Sequence, residues 1–158
     1  MRRIITRISL GLATLLLLGL LGLGARAAWV FDRGYADVPA LPIVADRSEA
    51  GVERGEMLFQ SLCMECHGGT DGRATGKHLA EIPEFFGTFY SANLAHPTRG
   101  IQQRSDAELA RTLRTGVLPS GDFSFIMATF RGLGDADVAA ILGYLRSAPP
   151  ALTPGGDD

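Results

Sequence analysis

Cys63-Met64-Glu65-Cys66-His67 is the stretch on which the reading of this chain turns. It holds the only two cysteines of 158 residues. Two thiols separated by two residues lie about one helical turn apart, and an imidazole follows at once. Such a pair can be a redox dithiol or a plain disulfide, half of a zinc site, or an anchor for a group that bonds to both sulfurs. The surroundings decide between them.

Upstream, the 18 residues from Ile8 to Ala25 contain only Ser9 and Thr14 as polar side chains. As a helix they reach ~27 Å, and Ala27, Ala28, Trp29, Val30 and Phe31 complete a span of the ~30 Å hydrocarbon layer. Arg2, Arg3 and Arg7 precede this stretch, so the N-terminus belongs on the cytoplasmic side and the remainder is exported. Residues 1–31 thus read as a membrane anchor. Ala25-Arg26-Ala27 also has the small-x-small form that signal peptidase accepts, so cleavage to a soluble periplasmic product is the alternative. Either route delivers the cysteines to an oxidising compartment on the outer side of a bacterial inner membrane.

The remainder is too short for two independent cores, which excludes a large multidomain enzyme. From residue 32 onward, 11 basic side chains face 17 acidic ones, a net of −6. An acidic domain without a basic run argues against nucleic acid as a partner. Residues 32–47, with Pro39 and Pro42 and no sustained periodicity, read as an extended linker that could hold a domain well off the bilayer. The chain from Pro149 onward, including residues 151–158, reads as a disordered tail.

Between them, residues 48–150 spell three helices and no alternating strand pattern. Ser48 caps a helix to about Leu62, with Val52, Gly55, Leu58, Phe59 and Leu62 on one face. Ser105 and Glu108 have capping-box spacing before Leu109, Ala110 and Leu113, and Gly116 is a stop signal. Asp135 to Ser147 carries Val138, Ile141, Leu142 and Leu145 as a stripe, ended by Pro149-Pro150. Three helices and long glycine-rich loops make a poor core alone.

A porphyrin supplies the missing volume. In an exported chain, Cys-x-x-Cys-His is the attachment signature of c-type haem: Cys63 and Cys66 add to the two vinyl groups, and His67 becomes the proximal iron ligand. A dithiol would want a βαβ context that is missing, and zinc would need a fourth ligand from His78 or His96. For the second axial position, Met57 and Met64 sit too near the motif to arch over the opposite face. Met127 is 60 residues beyond His67 and remains, with His78, His96 or an open position as alternatives. Pro83 is a candidate to accept from the other nitrogen of His67. Arg73, Lys77 and Arg99 are candidates for the propionates. Phe85, Phe86, Phe89, Tyr90, Phe123, Phe125 and Phe130 could wall the ring or simply pack the core.

With these residues, the chain from about 48 to 150 resembles a class I c-type cytochrome. It is of the small membrane-anchored monohaem kind similar to cytochrome subunits of periplasmic dehydrogenases. The resemblance rests on Glu53-Arg-Gly-Glu-Met-Leu-Phe59 before the motif, on Asn93-Leu94, on the Ser105 helix and on the final helix through Pro149-Pro150. It implies an all-α fold around one covalent haem c, Gly55 or Phe59 crossing Tyr144, and single-electron transfer. The donor would be a dehydrogenase or quinol-oxidising complex, and the acceptor a cytochrome or terminal oxidase. A peroxidase-type enzyme or a haem sensor are the rival uses of the same group. One residue departs from the family: the ligand methionine is usually followed by Pro, and here by Ala128.

Overall fold

A computed structural model describes residues 2–35 and 37–154. Its first element, α1 (Arg2–Arg33), contains an apolar stretch, Arg7–Val30, of mean hydropathy 2.2, none of it buried against the protein. Trp29 lies at the end of that stretch, with the Arg26 guanidinium 5.8 Å from its ring centre.

The domain is built on a crossing of α2 (Glu49–Leu58) and α5 (Asp135–Arg146). Ser48 caps α2 through the Gly51 amide, as its residue type predicts. Gly55 permits the crossing: a Cβ there would collide with the Ala140 carbonyl and crowd Tyr144. One turn on, the Phe59 ring, 1% exposed, meets Tyr144 at 5.3 Å between centroids. Arg54 adds an ion pair to Asp137 across the two helices. The Val138, Ile141, Leu142 and Leu145 stripe of α5 is buried throughout.

α4 (Asp106–Thr115) begins with the Ser105–Glu108 capping box and stops at Gly116, whose φ of 73° is a left-handed conformation that glycine adopts without penalty. It buries Leu109, Ala110 and Leu113. Arg146, rather than merely facing the C-terminal end of its own helix, binds Asp106 Oδ1 at 2.8 Å and the carbonyls of Ile101 and Arg104, so α5 is stapled to the start of α4. Among the described residues there is no strand, only isolated bridges between His78 and Tyr90 and between Val117 and Phe123.

Two segments differ from the sequence expectation. Residues 38–47 are not a free linker. Leu41 N–H donates to Ala107 O, Asp46 N–H to Ala139 O, and Ala45 N–H to Asp106 Oδ2, while Leu41, Ile43 and Ala45 pack on the core. Gly143 lacks a side chain where the Asp46 carbonyl passes over α5. The Pro-rich chain thus forms a strap, because the amides of extended backbone can donate to the second lone pair of helix carbonyls and to the Asp106 carboxylate. The tail is likewise docked at its start: Pro150–Leu152 form a single 3₁₀ turn, Ala151 and Leu152 are buried, and Ala151 O accepts from Ala74 N–H. Burying a leucine stabilises by about 2 kcal/mol, enough to order so short a segment in part. Residues 155–158, also expected to be disordered, lie outside the described residues.

Candidate functional site

The helix leading to the motif does not run straight into it. A π-turn, Phe59–Cys63, follows α2 and passes into the short α3 (Met64–His67). Through this wider turn Phe59, packed against Tyr144, lines a cavity together with Leu62, Cys63, Cys66 and His67. The Gly68 amide closes α3 on Met64 O, and the Gly76 amide caps His67 O. Ser91 Oγ donates to Cys66 O at 2.6 Å. The motif's backbone is therefore held on both sides.

His67 is oriented by Ala92. Its Nδ1 lies 2.9 Å from Ala92 O, and a carbonyl can only accept, so Nδ1 carries the proton and Nε2 presents its lone pair. Burial depresses the imidazole pKa, only partly opposed by that carbonyl, and the ring is held neutral as a metal ligand must be. Pro83, the sequence candidate for this role, is not the acceptor: its carbonyl is taken by the Phe86 amide in a 3₁₀ turn.

The cavity encloses about 480 Å³ and is predominantly apolar. Phe59, Leu94, Ile101, Leu109, Leu113 and Ile141 form much of its depth. Met127, at the start of the 3₁₀ turn Met127–Gly132, also lines it. Gly116 seats this loop: Ser124 N–H donates to Gly116 O, and a Cβ at Gly116 would strike Ser124 O and Ala128 Cβ. The Met127 amide faces Ser124 Oγ at 3.3 Å. Ala128 N–H donates to Ser124 O at 3.0 Å, a bond that a proline could not make. That bond gives the family's usual Pro position a different restraint here.

Cys63, Cys66, His67 and Met127 thus line one cavity, whereas Met57 is exposed on α2 and His78 stacks on Tyr90 at the surface. His96 lies outside the cavity lining, where its Nδ1 accepts from the Thr98 and Arg99 amides and its ring lies beside the Arg99 side chain. Of the basic candidates, Arg99 lines the cavity together with Arg104, to which no sequence pattern points, while Arg73 pairs with Asp71. Tyr90 and Phe130 are the only members of the aromatic set on its wall. Phe85, Phe86, Phe123 and Phe125 are exposed.

The donor set fits a c-type haem. Both cysteines are free thiols. Burial, and secondarily Cys66, push the Cys63 thiol up to about 12, the opposite of the lowered pKa that a redox dithiol requires. Among the described residues no three His, Cys, Asp or Glu side chains gather as a metal site, which removes support for zinc. A thiol pair, a neutral imidazole with a free Nε2, an apolar void of cofactor size and a thioether on the facing loop together meet what the porphyrin needs.

Residues 50–145 match the family described as cytochrome c oxidase, cbb3-type, subunit III. Over 115 residues, 69% of the chain, the sequence is 36% identical to a nicotinate dehydrogenase subunit of Pseudomonas putida. The matched stretch spans only 10% of that much longer relative.

Proposed function

Because the chain belongs to the cytochrome c family typified by subunit III of cbb3-type oxidases, and is a class I c-type cytochrome that carries electrons on haem c, we propose the following assignment of its parts. Cys63 and Cys66 would hold the haem by two thioethers, and His67 Nε2 and the Met127 sulfur would ligate its iron. α1 remains as the membrane anchor, and the domain of residues 48–150, with its strap, works in the periplasm. The observation that carries this is the convergence of a carbonyl-oriented imidazole and a methionine loop on one apolar cavity.

When bound, the group supplies a one-electron couple between ferric and ferrous iron, and His/Met ligation favours a raised potential. The protein's part is to orient and to exclude. Ala92 keeps the imidazole in one tautomer and one plane, which limits ligand rearrangement between the two oxidation states. Phe59, Ile101, Leu109, Leu113 and Ile141 keep water from the iron's surroundings, which favours the less charged state. With His67 and Met127 both on the iron, no open position would be left for a substrate.

The relative named as a dehydrogenase subunit supports a dehydrogenase as donor, and the family name supports an oxidase or another cytochrome downstream. The net of −6 beyond the anchor favours a basic patch on a soluble partner. The test is genetic and biochemical. Deleting the gene should abolish oxygen uptake driven by the donor's substrate in membrane preparations, with wild type restoring it and His67→Ala not doing so. Full oxygen uptake in the deletion strain would contradict the carrier role.

A further inference from the structure

α1 does not end in a flexible joint. Its apolar stretch stops at Val30, the helix continues to Arg33, and Gly34, with φ 58°, turns the chain so that Tyr35 N–H donates to Gly121 O at 2.7 Å. Gly34 and Gly121 approach so closely that a Cβ on Gly34 would touch the Gly121 carbonyl. Three helical residues past Val30 rise about 4.5 Å. The headgroup layer extends about 5–7 Å beyond the hydrocarbon on each side. Tyr35 and Gly121 therefore stand at headgroup depth if α1 spans the bilayer.

The attachment continues from there. The Tyr35 ring lies 5.5 Å from Phe123, and Tyr35 O accepts from Val38 N–H. Arg111, itself buried, then donates to Val38 O at 3.0 Å and to Leu118 O at 3.1 Å. One guanidinium thus ties the strap to the loop whose Leu118, Pro119 and Ser120 form one rim of the cavity. On the outer side of the same loop, Phe123 and Phe125 are 49% and 60% exposed, and Tyr35 is 50% exposed. Phe125 meets Phe89 at 6.3 Å, and the loop bearing Phe89 also carries Phe85, 91% exposed, and Phe86. Aromatic rings in the open are costly in water and favoured at a membrane interface.

We propose that the face bearing Tyr35, Phe123 and Phe125 rests in the headgroup layer of the bilayer that α1 crosses, so that the Leu118–Ser120 rim of the haem cavity is held at the membrane surface. This rests on the reading of α1 as a retained anchor. The occupant is the lipid surface itself, because Tyr35, whose amide donates to Gly121 O, follows the end of the apolar stretch at Val30 by only a few residues. Asp37 and Asp122 lie in the same region and Glu84 precedes Phe85, so attraction to anionic lipid is not the cause, and zwitterionic lipid suffices. The consequence is that electrons enter or leave near the bilayer plane on this side, from a membrane-embedded partner.

The test uses full-length holoprotein in phosphatidylcholine vesicles. Phe125→Cys and, as a control at the far end of the strap, Glu49→Cys are each labelled with a nitroxide; Cys63 and Cys66, alkylated by haem, do not react. The label at position 125 should show a several-fold higher ratio of collision with oxygen to collision with a water-soluble nickel chelate than the label at 49. Equal ratios in protein that resists carbonate extraction would overturn this proposal and leave the anchor reading standing. Release of the protein by carbonate would overturn both. Phe123→Cys gives a second reading should Phe125→Cys fail to bind haem.

Discussion

The two segments that bring His67 and Met127 to the cavity are made differently. On the His67 side, Gly55, Phe59, Ala140 and Tyr144 interlock two helices, and the motif follows without a break in the helical chain. On the Met127 side, a loop of 3₁₀ turns is held by Ser124, Gly116 and Ala128 backbone bonds, and Phe123 and Phe125 project outward. A ligand held by close-packed helices fails only when the domain fails. One held by a loop can leave while the domain stays folded, because local opening costs less than global unfolding.

That contrast is broken most severely at Gly55. Gly55→Leu would drive a side chain into the Ala140 carbonyl, and overpacking of this kind costs about 3 kcal/mol or more. Thermal denaturation of the holoprotein should show the midpoint falling by more than ten degrees, or no haem-loaded protein at all. Phe59→Ala, which removes the ring facing Tyr144, should cost about 3–5 kcal/mol by the same measurement, with the sulfur–iron band retained in whatever protein survives.

A smaller effect sharpens the comparison from the other side. Ala128→Pro would lose the N–H donated to Ser124 O, and the net loss of about 1 kcal/mol should fall on the Met127 loop alone. Carbon monoxide binding to the reduced protein should then speed up while the denaturation midpoint moves by only a few degrees. An unchanged rate would show that this bond does not restrain the loop.

The mildest perturbation is acid. Burial alone would raise the Asp106 carboxyl, but hydrogen bonds from Arg146 and the Ala45 amide outweigh it and hold the pKa below the usual carboxylate value. A depressed folded-state pKa contributes stability above the unfolded-state value, and that contribution disappears as pH falls through the folded-state value. The strap and the α4–α5 staple should therefore weaken below about pH 4, the ordinary carboxylate range, ahead of the α2–α5 crossing. Asp106→Asn should flatten the acid limb of the stability profile. Hydrogen exchange of the Ala45 amide checks the location.

The helices were legible because their signals are carried by side chains. Ser48, the Ser105–Glu108 pair and Gly116 mark ends, and the α5 stripe marks a buried face. The cysteine pair with its histidine was legible for the same reason. What was hidden works through backbone. Ala92 serves the site with a carbonyl that every residue possesses, so its role is invisible in sequence and Pro83 was no worse a candidate. The strap binds by the amides of Leu41, Ala45 and Asp46, and a Pro-rich stretch without periodicity gives no sign that it is docked. The π-turn at Phe59–Cys63 departs from α-helical winding without any local pattern in the residues to announce it.

We propose that His67 and Met127 close on one haem. This pairing is tested most directly by the absorption spectrum of the oxidised protein before and after Met127→Ala. A sulfur-to-iron charge-transfer band is expected in the wild type, with its loss, a lower potential and rapid binding of cyanide or carbon monoxide in the variant. A variant that keeps the band and excludes external ligands would assign the sixth position to another residue and contradict the account.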